Sequence, residues 1–152
     1  MFNKILIANR GAIATRIIRT LKRLGIHSVA VYAESDSESL HVQHADEAYS
    51  LGEGNASHTY LNIELILEIA KKTGAQAIHP GYGFLSENSK FVERCEQVGI
   101  QFIGPTTSQI EEFGLKHKAR VLAERSGVPL LSGSSLLNSA DEACHYAQQV
   151  GY

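Results

Sequence analysis

Two clusters of residues in this 152-residue chain have the types and spacing that a ligand site needs. The first is His79-Pro80-Gly81-Tyr82-Gly83-Phe84-Leu85-Ser86-Glu87-Asn88, which follows an apolar run and opens a stretch of helical period. Pro80 halts a strand ladder, Gly81 and Gly83 leave the backbone bare on either side of Tyr82, and Ser86 is placed to cap the next helix. Bare backbone beside an aromatic ring suits close approach by a ligand or another chain; a demanding loop with a packed Tyr82 and a structural His79 is the plainer alternative. The second cluster is Gly114-Leu115-Lys116-His117-Lys118-Ala119-Arg120. Cations at a helix N-terminus oppose the helix dipole, so a phosphate would relieve them, and a solvated basic face is the alternative.

A third candidate is the turn Asn9-Arg10-Gly11 after the first apolar run. In an open parallel sheet, ligands sit beyond the carboxyl ends of the strands, where helix N-termini offer free amides. A dinucleotide would want G-x-G-x-x-G, but Gly11 is followed only by Ala12 and Ala14, so Glu34 or Asp36 as a ribose-binding acid lacks its partner motif. His41 and His44 share a helical face and read as surface residues, and no histidine sits in a metal-ligand pattern. Cys95 and Cys144 lie too far apart for a zinc site or a disulfide framework and read as buried free thiols.

The elements that must carry these residues alternate. Near-continuous apolar runs predict strands at Lys4–Ala8, Ser28–Tyr32, Glu47–Leu51, Gln76–Ile78 and Gln101–Ile103, as expected of parallel strands covered on both faces. Helical stripes fill the gaps: Gly11–Leu24 with Ile13, Ile17, Leu21 and Leu24; Tyr60–Lys72; and Asn88–Val98, closed by Gly25, Gly74 and Gly99. Beyond Gly104-Pro105 come helices near Thr107–Phe113 and Lys116–Ser126, then one that the capping box Ser139-x-x-Glu142 starts and that runs to Val150. The fold expected is α/β, a Rossmann-like doubly wound parallel sheet over residues 1–103, with a helical extension over 104–152. The chain stops at Gly151-Tyr152 where another strand is expected, which reads as a cut. A net charge of -2 excludes a general nucleic-acid surface. No apolar run approaches the ~18 residues of a membrane span and no signal peptide opens the chain, so a reducing cytoplasm is expected.

Three segments together resemble one family. Ile7-Ala8-Asn9-Arg10-Gly11-Ala12-Ile13-Ala14 is similar to the "IANRGEIA" opening of biotin carboxylases, and His79–Asn88 is identical to their "HPGYGFLSEN". Ala45-Asp46-Glu47-Ala48, the Tyr60-Leu61-Asn62 stretch, Phe102-Ile103-Gly104-Pro105 and Gly127-Val128-Pro129 fall in register with it. Acyl-CoA and pyruvate carboxylases typically read "GDK" where this chain has Gly114-Leu115-Lys116, which looks like the urea carboxylase part of urea amidolyase, as does Val128-Pro129-Leu130-Leu131.

The resemblance implies an enzyme that activates bicarbonate with MgATP, as carboxyphosphate, and moves CO₂ to N1′ of biotin on a carrier domain. It implies that Lys116 contacts ATP, that Tyr82 and Gly83 line the biotin and bicarbonate side of the cleft beside Glu87, and that Arg16, Arg19 and Arg23 lie on a helix contributing to a homodimer. Ala12 departs from the usual glutamate, which puts a polar contact there in doubt, and Ser132 stands where a proline often precedes Gly133. The ATP-grasp portion, with its lid, second lysine, magnesium carboxylates and biotin-side arginine, follows this segment in the family. The 152 residues alone are therefore expected to fold but to be inert, since phosphoryl transfer is mostly positioning and charge stabilisation. The alternatives are the same domain of an acetyl-CoA, propionyl-CoA or pyruvate carboxylase, and a non-catalytic binding or assembly module.

Overall fold

A computed structural model describes residues 1–151. Among them, five strands form one sheet: β1 (Lys4–Ile7), β2 (His27–Tyr32), β3 (Glu47–Ser50), β4 (Ala77–His79) and β5 (Gln101–Phe102). The order is β3-β2-β1-β4-β5 and every pairing is parallel. β1 is central: Ile5 pairs with Ser28 on one side and with Ala77 on the other. The order reverses between β1 and β4, so the chain leaves these two neighbours toward opposite faces and opens a crevice at their carboxyl ends.

The apolar runs are continuous because both faces are covered. Ile5 and Ile7 pack with Ala14, Ile17, Ile18 and Leu21 of α1 (Gly11–Arg23). Leu6 points the other way, into a cluster that includes Val29, Val31, Ile78, Ile66, Leu67, Phe91 and Val92. There the cover comes from α3 (Ile63–Thr73) and α4 (Ser89–Gln97). A short helix α2 (Leu40–His44) and a 3₁₀ turn (Glu34–Asp36) fill the β2–β3 connection.

Several boundaries differ from expectation, each for a local reason. α3 starts at Ile63 rather than Tyr60, because the Asn62 side chain accepts from Leu65 N. α4 is capped by Asn88, whose Oδ1 accepts from Phe91 N at 2.9 Å, while Ser86 N is used in a turn to Gly83 O. Leu24 lies just past α1 and is 56% exposed; Ile26 N reaches back to Leu21 O and Gly25 N to Lys22 O, a Schellman closure that puts Ile26 in the core instead. Cys95 is buried, but Cys144 is exposed, contrary to the expectation of two buried thiols.

The chain divides into two compact units, the first ending at Ile110 and the second starting at Glu111. The second holds α6 (Lys116–Arg125) and α7 (Ala140–Val150), and α5 (Thr107–Phe113) spans the division. Within the second unit, Arg120 Nη2 donates to Leu131 O at 2.9 Å, tying α6 to the segment that follows it. Ser139 Oγ accepts from Glu142 N at 3.1 Å, and Glu142 Oε2 accepts from Asn138 N at 2.8 Å, one residue earlier than a capping box requires.

Candidate functional site

The crevice at the switch point is built from the β1–α1 turn and the loop after β4, and one side chain joins them. Asn9 is 3% exposed. Its Nδ2 donates to Pro80 O at 2.7 Å and to Tyr82 O at 2.8 Å, and its Oδ1 accepts from Arg10 N at 2.9 Å. Two carbonyl acceptors fix which end of the amide faces the loop, since the reverse orientation would set oxygen against oxygen. Ala8 N also donates to His79 O at 2.9 Å. Gly81, at φ +67°, sits against this clamp, and His79 Nδ1 accepts from Gly81 N at 3.1 Å. That bond places the neutral imidazole proton on Nε2. Burial holds the His79 pKa below the ordinary histidine value.

Past the clamp, Tyr82 stands out from the molecule at 68% exposure, and Gly83 follows with open space around it. The packed Tyr82 of the plainer alternative is not what the structure has. Phe84 has φ +41°, and among the described residues no other non-glycine has positive φ. That conformation costs about 1–2 kcal/mol and persists only where surroundings impose it. Here the buried Leu85 anchors one side. On the other, the Phe84 ring stacks on Tyr60 with centroids 4.9 Å apart and planes 21° apart.

Tyr60 is itself fixed. It is 3% exposed, its hydroxyl donates to Asp36 Oδ2 at 2.6 Å, and it accepts from Ala33 N at 3.0 Å. Burial first, then the Asp36 hydrogen bond, raises its pKa far above the tyrosine range. The other oxygen of Asp36 accepts from Arg10 Nη2, and the Arg10 guanidinium lies 5.8 Å from the Tyr60 ring centre. Both Asp36 oxygens are thereby engaged within the protein. The ribose-binding role considered for Asp36 is closed off, and Glu34 is likewise bonded to Ser50.

His41 is fully buried, not on the surface as its sequence setting suggested. Its Nδ1 lies 3.4 Å from Gly11 N at the start of α1. Burial is the main reason that its pKa falls; the Val31 backbone and Asp36 oppose, and Arg10 adds to the fall. The sequence missed His41 and Tyr60, which sit on segments that read as surface or as helix start, and it offered Asp36 only as a ribose-binding acid. The available signal was the polar pair Glu34 and Asp36 directly after β2, where a buried acid needs a cation and a donor.

The structure brings Tyr82 and Gly83 together on the clamped loop, with Glu87 exposed just beyond them. Arg16, Arg19 and Arg23 lie exposed on α1. Ala12 borders a shallow hollow lined also by Gly11, Thr15, Arg19, Ser39 and Leu40. Lys116 belongs to the second unit and opens α6, whose N-terminus has no side-chain cap and no acid in its first turn. Free amides with Lys116 and Lys118 exposed beside them are a donor set suited to phosphate oxygens. Among the described residues no three His, Cys, Asp or Glu side chains converge as a metal site.

An open parallel sheet with a raised, glycine-bordered loop at its switch point defines a doubly wound α/β domain. Comparison with known proteins names the family. The family model described as "Biotin carboxylase, N-terminal domain" matches residues 1–110, and the chain belongs to that family. Biotin carboxylase 2 of Bacillus subtilis is 55% identical over 153 residues, covering 100% of this chain and 34% of the relative. The crystal structure of the Kluyveromyces lactis urea amidolyase matches with a TM-score of 0.84 and 57% identity, over 86% of this chain and 8% of that one. The biotin carboxylase domain dimer of the Hydrogenobacter thermophilus 2-oxoglutarate carboxylase, in complex with MgADP, ADP and bicarbonate, matches with a TM-score of 0.93 and 49% identity, over 100% of this chain and 34% of that one. The chain thus spans about a third of the length of the bacterial biotin carboxylases it matches.

Proposed function

We propose that this chain serves as the N-terminal part of an ATP-dependent biotin carboxylase that uses bicarbonate to carboxylate biotin on a carrier domain, within a urea carboxylase. The observation that carries the reading is the loop at the switch point: Asn9 holds it from below and Tyr82 stands free above the sheet edge. In this reading Tyr82 and Gly83 line the biotin and bicarbonate side, with Glu87 beside them. MgATP supplies the phosphoryl group that activates bicarbonate, and Lys116 with the amides of α6 would hold its phosphates. The region from Gly104 onward leads into an ATP-grasp domain that brings the magnesium carboxylates. Arg16, Arg19 and Arg23 contribute to a homodimer, a reading supported by the dimeric carboxylase domain among the structural neighbours. The site of action is the cytoplasm.

The urea branch is supported by Gly114-Leu115-Lys116 and by the 57% identity to the Kluyveromyces lactis protein. The test uses the complete carboxylase. Tyr82→Ala is expected to raise KM for biotin roughly tenfold, a loss of about 1.4 kcal/mol, with KM for ATP unchanged. Lys116→Ala is expected to do the reverse. Unchanged biotin kinetics in Tyr82→Ala would remove the assignment of the loop. Urea-dependent ATP hydrolysis decides the branch against acyl-CoA and pyruvate acceptors.

A further inference from the structure

We infer that Tyr60 and Asp36 are positioning residues that set the Tyr82 loop from its far side, through the Phe84 ring. The loop has two anchors that share no atoms. Asn9 takes the carbonyls of Pro80 and Tyr82, upstream of Gly83. Downstream, Phe84 is held in a left-handed backbone conformation with its ring on Tyr60. The Tyr60 ring cannot swing away, because its hydroxyl is bonded both to Asp36 and to Ala33 N at the exit of β2. Asp36 in turn is bonded to Arg10, the residue next to Asn9. The two anchors therefore meet in the β1–α1 turn, and Tyr82 is carried between them. A shift of the Arg10–Asp36 pair moves both ends of the loop together.

The plainer view is that Tyr60 merely fills the core. Tyr60 does belong to the buried core, at 3% exposure, but the ring that covers it comes from a loop residue that is 36% exposed, so the stack joins the core to the loop. A core filler has no need of a partner in an unfavourable backbone conformation.

The inference rests on the reading of this loop as the biotin side of the cleft, and the test separates the two. Hydrogen exchange is followed in this chain for wild type, Phe84→Leu and Tyr60→Leu. Phe84→Leu acts from the surface and keeps the fold even where Tyr60→Leu does not. The amides of Ser86 and Asn88, which donate to Gly83 O and Leu85 O, are expected to exchange at least tenfold faster in Phe84→Leu, with those of β1 and α3 unchanged. Tyr60→Phe keeps the ring but loses the bonds to Asp36 and Ala33 N, and its protection is expected to fall between wild type and Tyr60→Leu; wild-type protection in Tyr60→Phe removes the part given to Asp36. In the complete carboxylase, Phe84→Leu is expected to raise KM for biotin severalfold and to leave kcat within twofold. Wild-type loop exchange in Phe84→Leu overturns the inference. So does an unchanged KM in Phe84→Leu alongside a raised KM in Tyr82→Ala. If Tyr82→Ala itself leaves KM unchanged while the loop amides respond as expected, the biotin reading falls and the positioning role stands.

Discussion

A methyl group on Gly81 would lie 2.8 Å from Nδ2 of Asn9. The glycine is thus needed twice, once for its positive φ and once because the clamp leaves no room above it. Gly83 shares the φ of +67° but has nothing within 4 Å of a built methyl. The same substitution at these two positions should have different consequences. Gly83→Ala is expected to cost about 1 kcal/mol from backbone strain alone. Gly81→Ala adds the displacement of Asn9 and is expected to cost about 2–4 kcal/mol. Urea denaturation of the two variants measures the difference, and equal midpoints would show that the clamp yields without cost.

Asn9 itself gives the second prediction. Asn9→Ala removes two hydrogen bonds that close at 2.7 and 2.8 Å, leaving Pro80 O, the acceptor of a buried bond, and Tyr82 O, the acceptor of a half-buried one, without their donor. A loss of about 1–3 kcal/mol is expected. Asn9→Asp should be worse than alanine, since a carboxylate would face two carbonyl oxygens. If Asn9→Asp proves the more stable of the two, the amide orientation assigned above is reversed.

Stability should fall in two stages on acidification. His41 and His79 both have pKa values lowered by burial. The folded state then binds their protons less readily than the unfolded chain does. Their contribution is complete above the ordinary value of 6.5 and declines as pH falls below it, until the depressed folded values are passed. The carboxylates act lower. The Lys4 hydrogen bond leads in depressing the Glu47 pKa; at Asp46, burial works upward, but the bonds from Ser28 prevail. Their contribution is present above 4.5 and 3.8 and is lost as pH falls through the lower folded values. Urea midpoints at pH 7.5, 6.0 and 5.0 should already decline in sequence. A flat profile over that range would contradict the burial of both imidazoles.

Thiol labelling should distinguish the cysteines. Cys144 is exposed on α7, whereas Cys95 is fully buried and its thiol is pushed up to about 12 by burial. A neutral-pH maleimide or disulfide reagent is expected to modify Cys144 at once and Cys95 only on unfolding. Prompt modification of two thiols in the native protein would show that α4 opens readily.

The legible part of the fold was the part with strong periodicity. Ile5, Leu6 and Ile7 advertise a strand covered on both faces, and glycines at 25, 74 and 99 mark helix ends without ambiguity. The loop of Tyr82 was legible too, because proline and paired glycines leave few backbone choices. What sequence could not show was pairing across long separations. Nothing local in Asn9 says that its amide reaches Pro80, and nothing in Tyr60 says that it leaves a helical stripe to bond Asp36. Asn62 and Asn88 compete successfully for the capping positions, and the choice depends on where each helix must land on the sheet. His41 looked exposed because Asp46 and Glu47 follow within a few residues; its burial comes from α1 lying across it, a contact that only the folded chain makes.

The central place of β1 has a consequence for how the molecule forms. Its partners are β2, which follows soon after, and β4, which is not made until some seventy residues later, and the clamp from Asn9 spans 71 and 73 residues. One flank of the first strand must therefore stay open during synthesis until the chain has emerged past His79. Pairings of such long range are slow to close. An exposed edge of Ile5, Leu6 and Ile7 is the segment on which misassembly between nascent chains would begin.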